Sequence, residues 1–261
     1  MKIPIYQVDA FTSRLFGGNP AAVCPLEEWP NDDVLRNIAI ENNLAETAYF
    51  IKKGEGFHLR WFTPEVEMDL CGHATLASAH VIFEHLNYDL SAIRFETASG
   101  ELVVKKQEDL LQMDFPSRKP EPSSIPDQIL NALSIQPKSI LKARDYFLVF
   151  DTEQEVRDLL VNQQALDGLD LGTGGIICTA KGEKVDFVSR FFTPGAAVFE
   201  DPATGSAHCS LVPYWSEVLG LKEFTAHQVS SRLGEFYCED RGARVLISGQ
   251  SLTYLEGEIT V

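Results

Sequence analysis

The sequence predicts an α+β fold of two similar halves, each a curled, strand-rich sheet around one apolar helix, and three observations carry that prediction. Residues 60–75 read RWFTPEVEMDLCGHAT and residues 190–204 read RFFTPGAAVFEDPAT, so an Arg-aromatic-Phe-Thr-Pro run followed by a turn ending Ala-Thr occurs twice. Arg60 and Arg190 stand 130 positions apart, about half of 261, and KGE at 53–55 returns at 181–183. The segments after the two turns, 74–86 and 206–220, are apolar and small-residue-rich on every face, which suits a helix enclosed by other structure. Between the halves lies PSRKPEPSSIPDQ (116–128), with four prolines and no apolar periodicity, the strongest linker signal in the chain. Residues 1–117 are therefore expected to form one domain and 126–261 the other.

The elements follow in order. Alternating or β-branched runs predict strands over 3–8, 47–51, 57–62, 92–97, 101–105 and 110–115 in the first half. The second half predicts strands over 145–150, 175–180, 185–192, 227–232, 235–239, 243–248 and 252–259. Helical patterns cover 33–43, 74–86, 127–134, 152–160 and 206–220. This irregular spacing does not suit the regular strand–helix alternation of a dinucleotide-binding sheet.

Composition narrows the function classes. A chain with 44% hydrophobic and 23% charged residues can bury a substantial core. Its formal net charge of −16 argues against nucleic acid or an anionic membrane surface as a partner. Any anionic ligand must then be held by local dipoles and a few basic side chains. No apolar run reaches membrane-spanning length. The five cysteines at 24, 71, 178, 209 and 238 are scattered and form no CxxC, which reads as a reduced, cytoplasmic protein.

Where the repeats differ, chemistry is expected. The first half offers Cys71-Gly72-His73 at its helix start, and the second offers Asp201-Pro202 and then Gly205-Ser206. Glu46, in the apolar setting NLAETAYF, is placed by the KGE register opposite Gly174, and desolvation there would make it a proton carrier near neutrality. Each residue also has a plainer role open to it. Glu200 and Asp201 can cap a helix, His73 can pack, Cys71 can be a small buried hydrophobe, and Ser206 can be a helix-start residue. His80 and His208, on the helix bodies, read as structural. The backbone amides of Gly72-His73 and Gly205-Ser206 open two helices and could hold a carboxylate.

Taken together, GGNPAAV (17–23), the Glu of NLAETAYF, RWFTPEVEMDLCGHATLASAH (60–80) and EDPATGSA (200–207) resemble the PhzF-like phenazine biosynthesis isomerases. That family is related in fold to diaminopimelate epimerase and proline racemase. The resemblance implies two pseudo-symmetric domains, each a mostly antiparallel β-barrel around a central helix, with the site in the cleft between them. It also implies that the last strand, about 252–261, can return to the first domain. Carried over, the general acid/base falls on Glu46, the glycine–histidine pair on Gly72 and His73, the aspartate on Asp201, and the acid-binding glycine–serine pair on Gly205 and Ser206. In the phenazine enzyme itself the reaction moves a double bond and a proton within dihydro-3-hydroxyanthranilate, and the family needs no cofactor or metal. The implied partner is a small anionic carboxylic acid, and the implied assembly a homodimer. The epimerase relatives use two cysteines, but only Cys71 has a match here, so two-thiol racemisation is not expected.

Other classes find less support. There is no HExxH or paired-Cys spacing for a metallohydrolase and no GxSxG for a serine hydrolase. A protein that kept the fold for binding and lost the chemistry is the remaining alternative, but such a binder has no need of Glu46.

Overall fold

A computed structural model describes all 261 residues and divides them into two compact units, Met1–Asp114 with Ser248–Val261, and Phe115–Ile247. The chain thus passes from one unit to the other twice.

The first unit contains β1 (Lys2–Ala10), β2 (Asn19–Leu26), α1 (Asp32–Asn42), β3 (Glu46–Lys53), β4 (Gly56–Phe62), β5 (Glu67–Met68), α2 (Gly72–His85), β6 (Ala92–Thr97), β7 (Gly100–Gln107) and β8 (Leu110–Pro116). The C-terminal strand Ser251–Thr260 completes it by pairing antiparallel with β1. From there the order runs β1, β2, β3, β4, β6, β7, β8. Two neighbours are parallel, β2 with β3 and β4 with β6, and each such pair is joined through a helix, as parallel neighbours require. The other pairings are antiparallel.

The second unit repeats this plan. It holds β9 (Glu121–Pro122), α3 (Asp127–Ala132), β10 (Ser139–Lys142), β11 (Tyr146–Val149), α4 (Glu153–Asp158), β12 (Ile176–Lys181), β13 (Phe187–Phe192), β14 (Glu200–Asp201), α5 (Gly205–Leu219), β15 (Glu223–Gln228), β16 (Gly234–Asp240) and β17 (Arg244–Gly249). β9 pairs with β10 as the C-terminal strand pairs with β1, and the order β10, β11, β12, β13, β15, β16 follows with parallel pairs at β11–β12 and β13–β15. The duplicated sequence folds into a duplicated topology. Each unit is a mixed, mostly antiparallel sheet with few helices.

The two interior helices are apolar and buried over most of their length, with one exposed glutamate each near the C-terminal end, Glu84 and Glu217. α2 buries nine of its fourteen residues, including the unbroken run His73–Ala79, and packs on β1, β2, β3 and the C-terminal strand. α5 buries ten of its fifteen. The surface helices differ. α1 is capped by Asn31, whose side chain accepts from the Asp33 amide, and ends on Asn43 in the left-handed conformation. α4 carries a full capping box from Thr152 and Glu155.

The repeated Arg-x-Phe motif has a structural task in both units. Arg60 grips Glu67 of β5 through Nε (2.7 Å) and Nη2 (2.8 Å) and lies over the Phe62 ring. Arg190 grips Glu200 of β14 in the same way, at 2.7 and 2.9 Å, over Phe192. Each clamp anchors the short strand that leads into an interior helix. Glu200 is thereby explained as the counterpart of Glu67.

The Pro-rich stretch 116–128, expected to link the domains, belongs instead wholly to the second unit. Its placement follows from Pro213 inside α5, which has no N–H to offer the Cys209 carbonyl one turn earlier. The Arg118 amide donates to that carbonyl instead, at 2.8 Å, and the Ser117 amide donates to Ala243 O at 3.0 Å. The final strand returns to the first unit, as the resemblance allows, and the second boundary falls at 247/248, a few residues before the 252 expected. No helix is long and apolar enough to cross a membrane.

The two clamps should differ in weight. Arg190 is the better buried and also donates to the Val156 and Leu159 carbonyls, whereas Arg60 grips two largely exposed acids, Glu67 and Asp32. Arg190→Ala strands a carboxylate and two carbonyls and should cost about 3 kcal/mol, against roughly 1 kcal/mol for Arg60→Ala. Urea denaturation of the two variants checks the order.

Candidate functional site

The first unit assembles its candidate residues around the start of α2. Gly18, with φ +56° and no room for a Cβ against the Ala10 carbonyl, turns the chain into β2 and sets Asn19 at its first position. β2 pairs in parallel with β3, and Ala21 lies opposite Glu46, the first residue of that strand. α2 opens at Gly72, with Cys71 at its N-cap and His73 one position in.

His73 is the hub of this cluster. Its Nε2 lies 3.0 Å from Glu46 Oε2, while its Nδ1 is 3.2 Å from Asn19 Nδ2 and 3.5 Å from Cys71 Sγ. Both His73 and Asn19 are buried, and the Glu46 side chain is only 15% exposed. Although the carboxylate and imidazole are close enough to form an ion pair, the contact lies off the ring N–H direction. Neither Glu46 Oε2 nor His73 Nε2 makes a well-directed hydrogen bond within the chain. Two buried polar atoms that could exchange a proton thus have only each other within the chain.

Burial shapes the electrostatics. It pushes the Cys71 thiol up, with the Glu46 charge adding to the effect, so the sulfur stays protonated and weakly nucleophilic. Burial also works against the His73 imidazolium, but the Glu46 carboxylate, helped by the hydrogen bond to the Cys71 sulfur, outweighs it and holds His73 well above the ordinary histidine range. Burial holds His80 and His208 at about 4. His208 donates through Nδ1 to Thr204 O and stacks on Phe236, a structural role as expected.

Glu46, Cys71 and His73 offer ligand atoms within 4.8 Å of one another, a set of the kind that can hold a metal ion. Here, however, the imidazole stands between the other two, turning Nδ1 to the thiol and Nε2 to the carboxylate. One ion would need a single ring nitrogen to face both, whereas the observed arrangement suits a proton relay.

In the second unit the equivalent positions carry different chemistry. Tyr49 faces Arg60 and Cys178 faces Arg190 across their strand pairs, so counting back three residues sets Glu46 against Gly175, not the Gly174 that the KGE spacing suggests. The intervening hairpins differ in length, and that shifts the register. A Cβ at Gly175 would meet the Phe191 ring at 2.4 Å, so no acid fits there without displacing that ring. By helix position Gly205 matches Gly72, Ser206 matches His73, and Thr204 matches Cys71. The counterpart of the thiol is therefore a threonine rather than the Asp201-Pro202 pair.

Thr204 could cap α5 but does not. Its hydroxyl donates to Asp201 Oδ2 and accepts from Gln228 Nε2 (3.1 Å), while its amide donates to Gln228 Oε1 (2.8 Å). With the cap residue diverted, no side chain covers the first amides of α5, at Gly205 and Ser206. Asp201, opposite Phe191 in the short β14, helps to hold this turn. The sequence candidates thus gather in two groups, Glu46, Gly72 and His73 in one unit and Asp201, Gly205 and Ser206 in the other. Asn19, Thr204 and Gln228 were not singled out. Asn19 and Thr204 had a signal, their places in GGNPAAV and EDPATGSA, and Gln228 had none.

Comparison with known proteins follows the same lines. The profile of the PhzC-PhzF family, described as phenazine biosynthesis-like protein, matches residues 8–257. An uncharacterized isomerase of Pseudomonas aeruginosa is 48% identical over 259 residues, covering 99% of both chains. A PhzF-family phenazine biosynthesis protein from Enterococcus faecalis superposes with a TM-score of 0.96 at 45% identity, covering both chains fully. A hydroxyproline epimerase from Agrobacterium vitis shares the fold alone, with a TM-score of 0.61 at 10% identity.

The ion-pair geometry makes a titration prediction. Glu46→Gln removes the negative neighbour of His73, so the imidazole should titrate at lower pH than in wild type, as read by NMR. The native protein holds this proton more tightly than the unfolded chain, whose histidine titrates near about 6.5. The stabilisation is therefore complete below that pH and is lost as pH rises through the native value. Wild type should lose more stability than Glu46→Gln over that rise in chemical denaturation.

Proposed function

The chain belongs to the phenazine biosynthesis-like family, and on that premise we propose that it is an isomerase moving a carbon-bound proton of a small carboxylic acid without a cofactor. One observation carries the reading: the buried Glu46–His73 contact, 3.0 Å between Oε2 and Nε2, with no other group of the chain bonded to either atom. A carboxylate so placed can take a proton from carbon and return it, with the imidazole sharing the charge. The names of its relatives point the same way.

In this reading the first unit moves the proton and the second holds the acid. Glu46 is the single carrier, since its counterpart Gly175 has no side chain and Cys71 is held as a thiol. His73 and Asp201 support the transfer. The amide of Gly72 opens α2 in the first unit and those of Gly205 and Ser206 open α5 in the second, and amides so placed can hold a carboxylate or a charge that develops beside it. The second reading, a binder that has lost its chemistry, leaves the Glu46–His73 contact without a purpose.

The test is a screen of small carboxylic and amino acids in deuterated water for label gain. A single carrier returns part of the proton it removes, so deuterium should enter the product incompletely. Glu46→Gln should still bind while losing turnover by roughly 10²–10⁴-fold, and Cys71→Ala should keep most activity. Equal rates for Glu46→Gln and wild type would remove Glu46 as carrier, and no exchange across a broad panel would favour the binder.

A further inference from the structure

The segment between β10 and β11 carries an arginine that bonds to a residue of the proposed acid-binding turn. Arg144 donates through Nη2 to Ser206 Oγ at 3.1 Å. The same guanidinium is held by its neighbour Asp145, with Nε 3.1 and 3.3 Å from the two carboxylate oxygens and Nη2 3.0 Å from Oδ2. Asp145 is 2% exposed and its Oδ1 also accepts the Gly175 amide at 2.8 Å, so the acid is fixed from two sides. An arginine braced in this way loses little freedom on meeting a ligand.

Donor and acceptor roles then follow by elimination. A guanidinium has five N–H groups and no acceptor, so Ser206 Oγ can only accept from it. The serine hydroxyl proton must point elsewhere, and no group of the chain accepts it. Nη1 of Arg144 likewise has no partner in the protein, and the side chain is 27% exposed. One hydroxyl and one amino group, coupled through a single hydrogen bond, are both left as donors beside the uncovered first amides of α5. An acceptor with several lone pairs suits such a set, and an anionic oxyacid offers them together with the opposite charge.

Strand register shows that this device is confined to one half. Ala22 lies opposite Thr47 and Tyr146 opposite Ile176, so Arg144 occupies the position that Pro20 holds in the first unit. The first unit has no charge there. We propose that Arg144, braced by Asp145, is the specificity-determining cation that selects a carboxylate over its neutral isosteres at Ser206.

This inference rests on the reading of Ser206 as an acid-binding residue, and its test is binding rather than turnover. Benzoate and benzamide have nearly the same shape and differ in charge. Titrated into the full-length protein and followed at the Ser206 amide by NMR, wild type should bind benzoate roughly 10–100-fold more tightly than benzamide. Arg144→Gln should abolish that preference, and Arg144→Lys, which keeps the charge without the fork, should retain part of it. Because Arg144→Gln alone strands the buried Asp145 carboxylate, the double variant Arg144→Gln/Asp145→Asn, which removes both charges, is measured beside it and should behave alike. Glu46→Gln should leave the preference intact. Wild type showing no preference, or either Arg144→Gln variant keeping the full preference, would overturn the proposal. If Glu46→Gln abolishes proton exchange while the Arg144 variants keep their preference, the inference fails and the isomerase reading stands. If Arg144 sets the preference but no acid exchanges its proton, the isomerase reading fails alone.

Discussion

A helix that is apolar over most of its surface cannot rest on the outside of a domain, and this constraint underlies both units. α2 and α5 are such helices, and each is buried over most of its length. Enclosing a helix raises the question of where its first amides find partners. The exposed helices α1 and α4 answer it with side-chain caps. The interior helices have none, and the residues at their starts, Cys71 and Thr204, make other contacts. The same burial that stabilises each unit leaves oriented amides and a concentrated dipole beside the residues of interest.

The scaffold around these helix starts is duplicated, and its differences are chemical. In both units an arginine grips a glutamate on a two-residue strand, and that strand leads into the helix. On this common frame Glu46 stands where the other unit has Gly175, His73 where it has Ser206, and Pro20 where it has Arg144. One unit therefore carries a carboxylate and an imidazole that can exchange a proton. The other carries hydrogen-bond donors, a guanidinium and a serine hydroxyl. Gly175 shows how firmly this division is built, because the Phe191 ring fills the space a side chain would need.

Much of this was legible in the sequence, and the exceptions have physical causes. β2 was not foreseen because NPAAVCPL carries two prolines, which argue against a central strand, but both sit near its ends. β15 lies at 223–228 rather than 227–232, since Val229 leaves the strand and its amide bonds Ser189 O instead. The stretch 116–128 looked like a linker by composition. Only the fold brings it to the carbonyl that Pro213 leaves open.

The sequence by itself determined the duplication, the two interior helices, the strand-rich α+β class and the residues worth examining. Those follow from periodicity and repetition, which are properties of neighbouring positions along the chain. Tertiary structure alone decided which acid clamps an arginine and which does not, that Thr204 turns away from its cap, and that Arg144 meets Ser206. Each is a hydrogen bond between residues brought together by strand pairing. A shift of one or two positions in a hairpin, invisible in local pattern, exchanges Gly174 for Gly175 and reassigns every such contact.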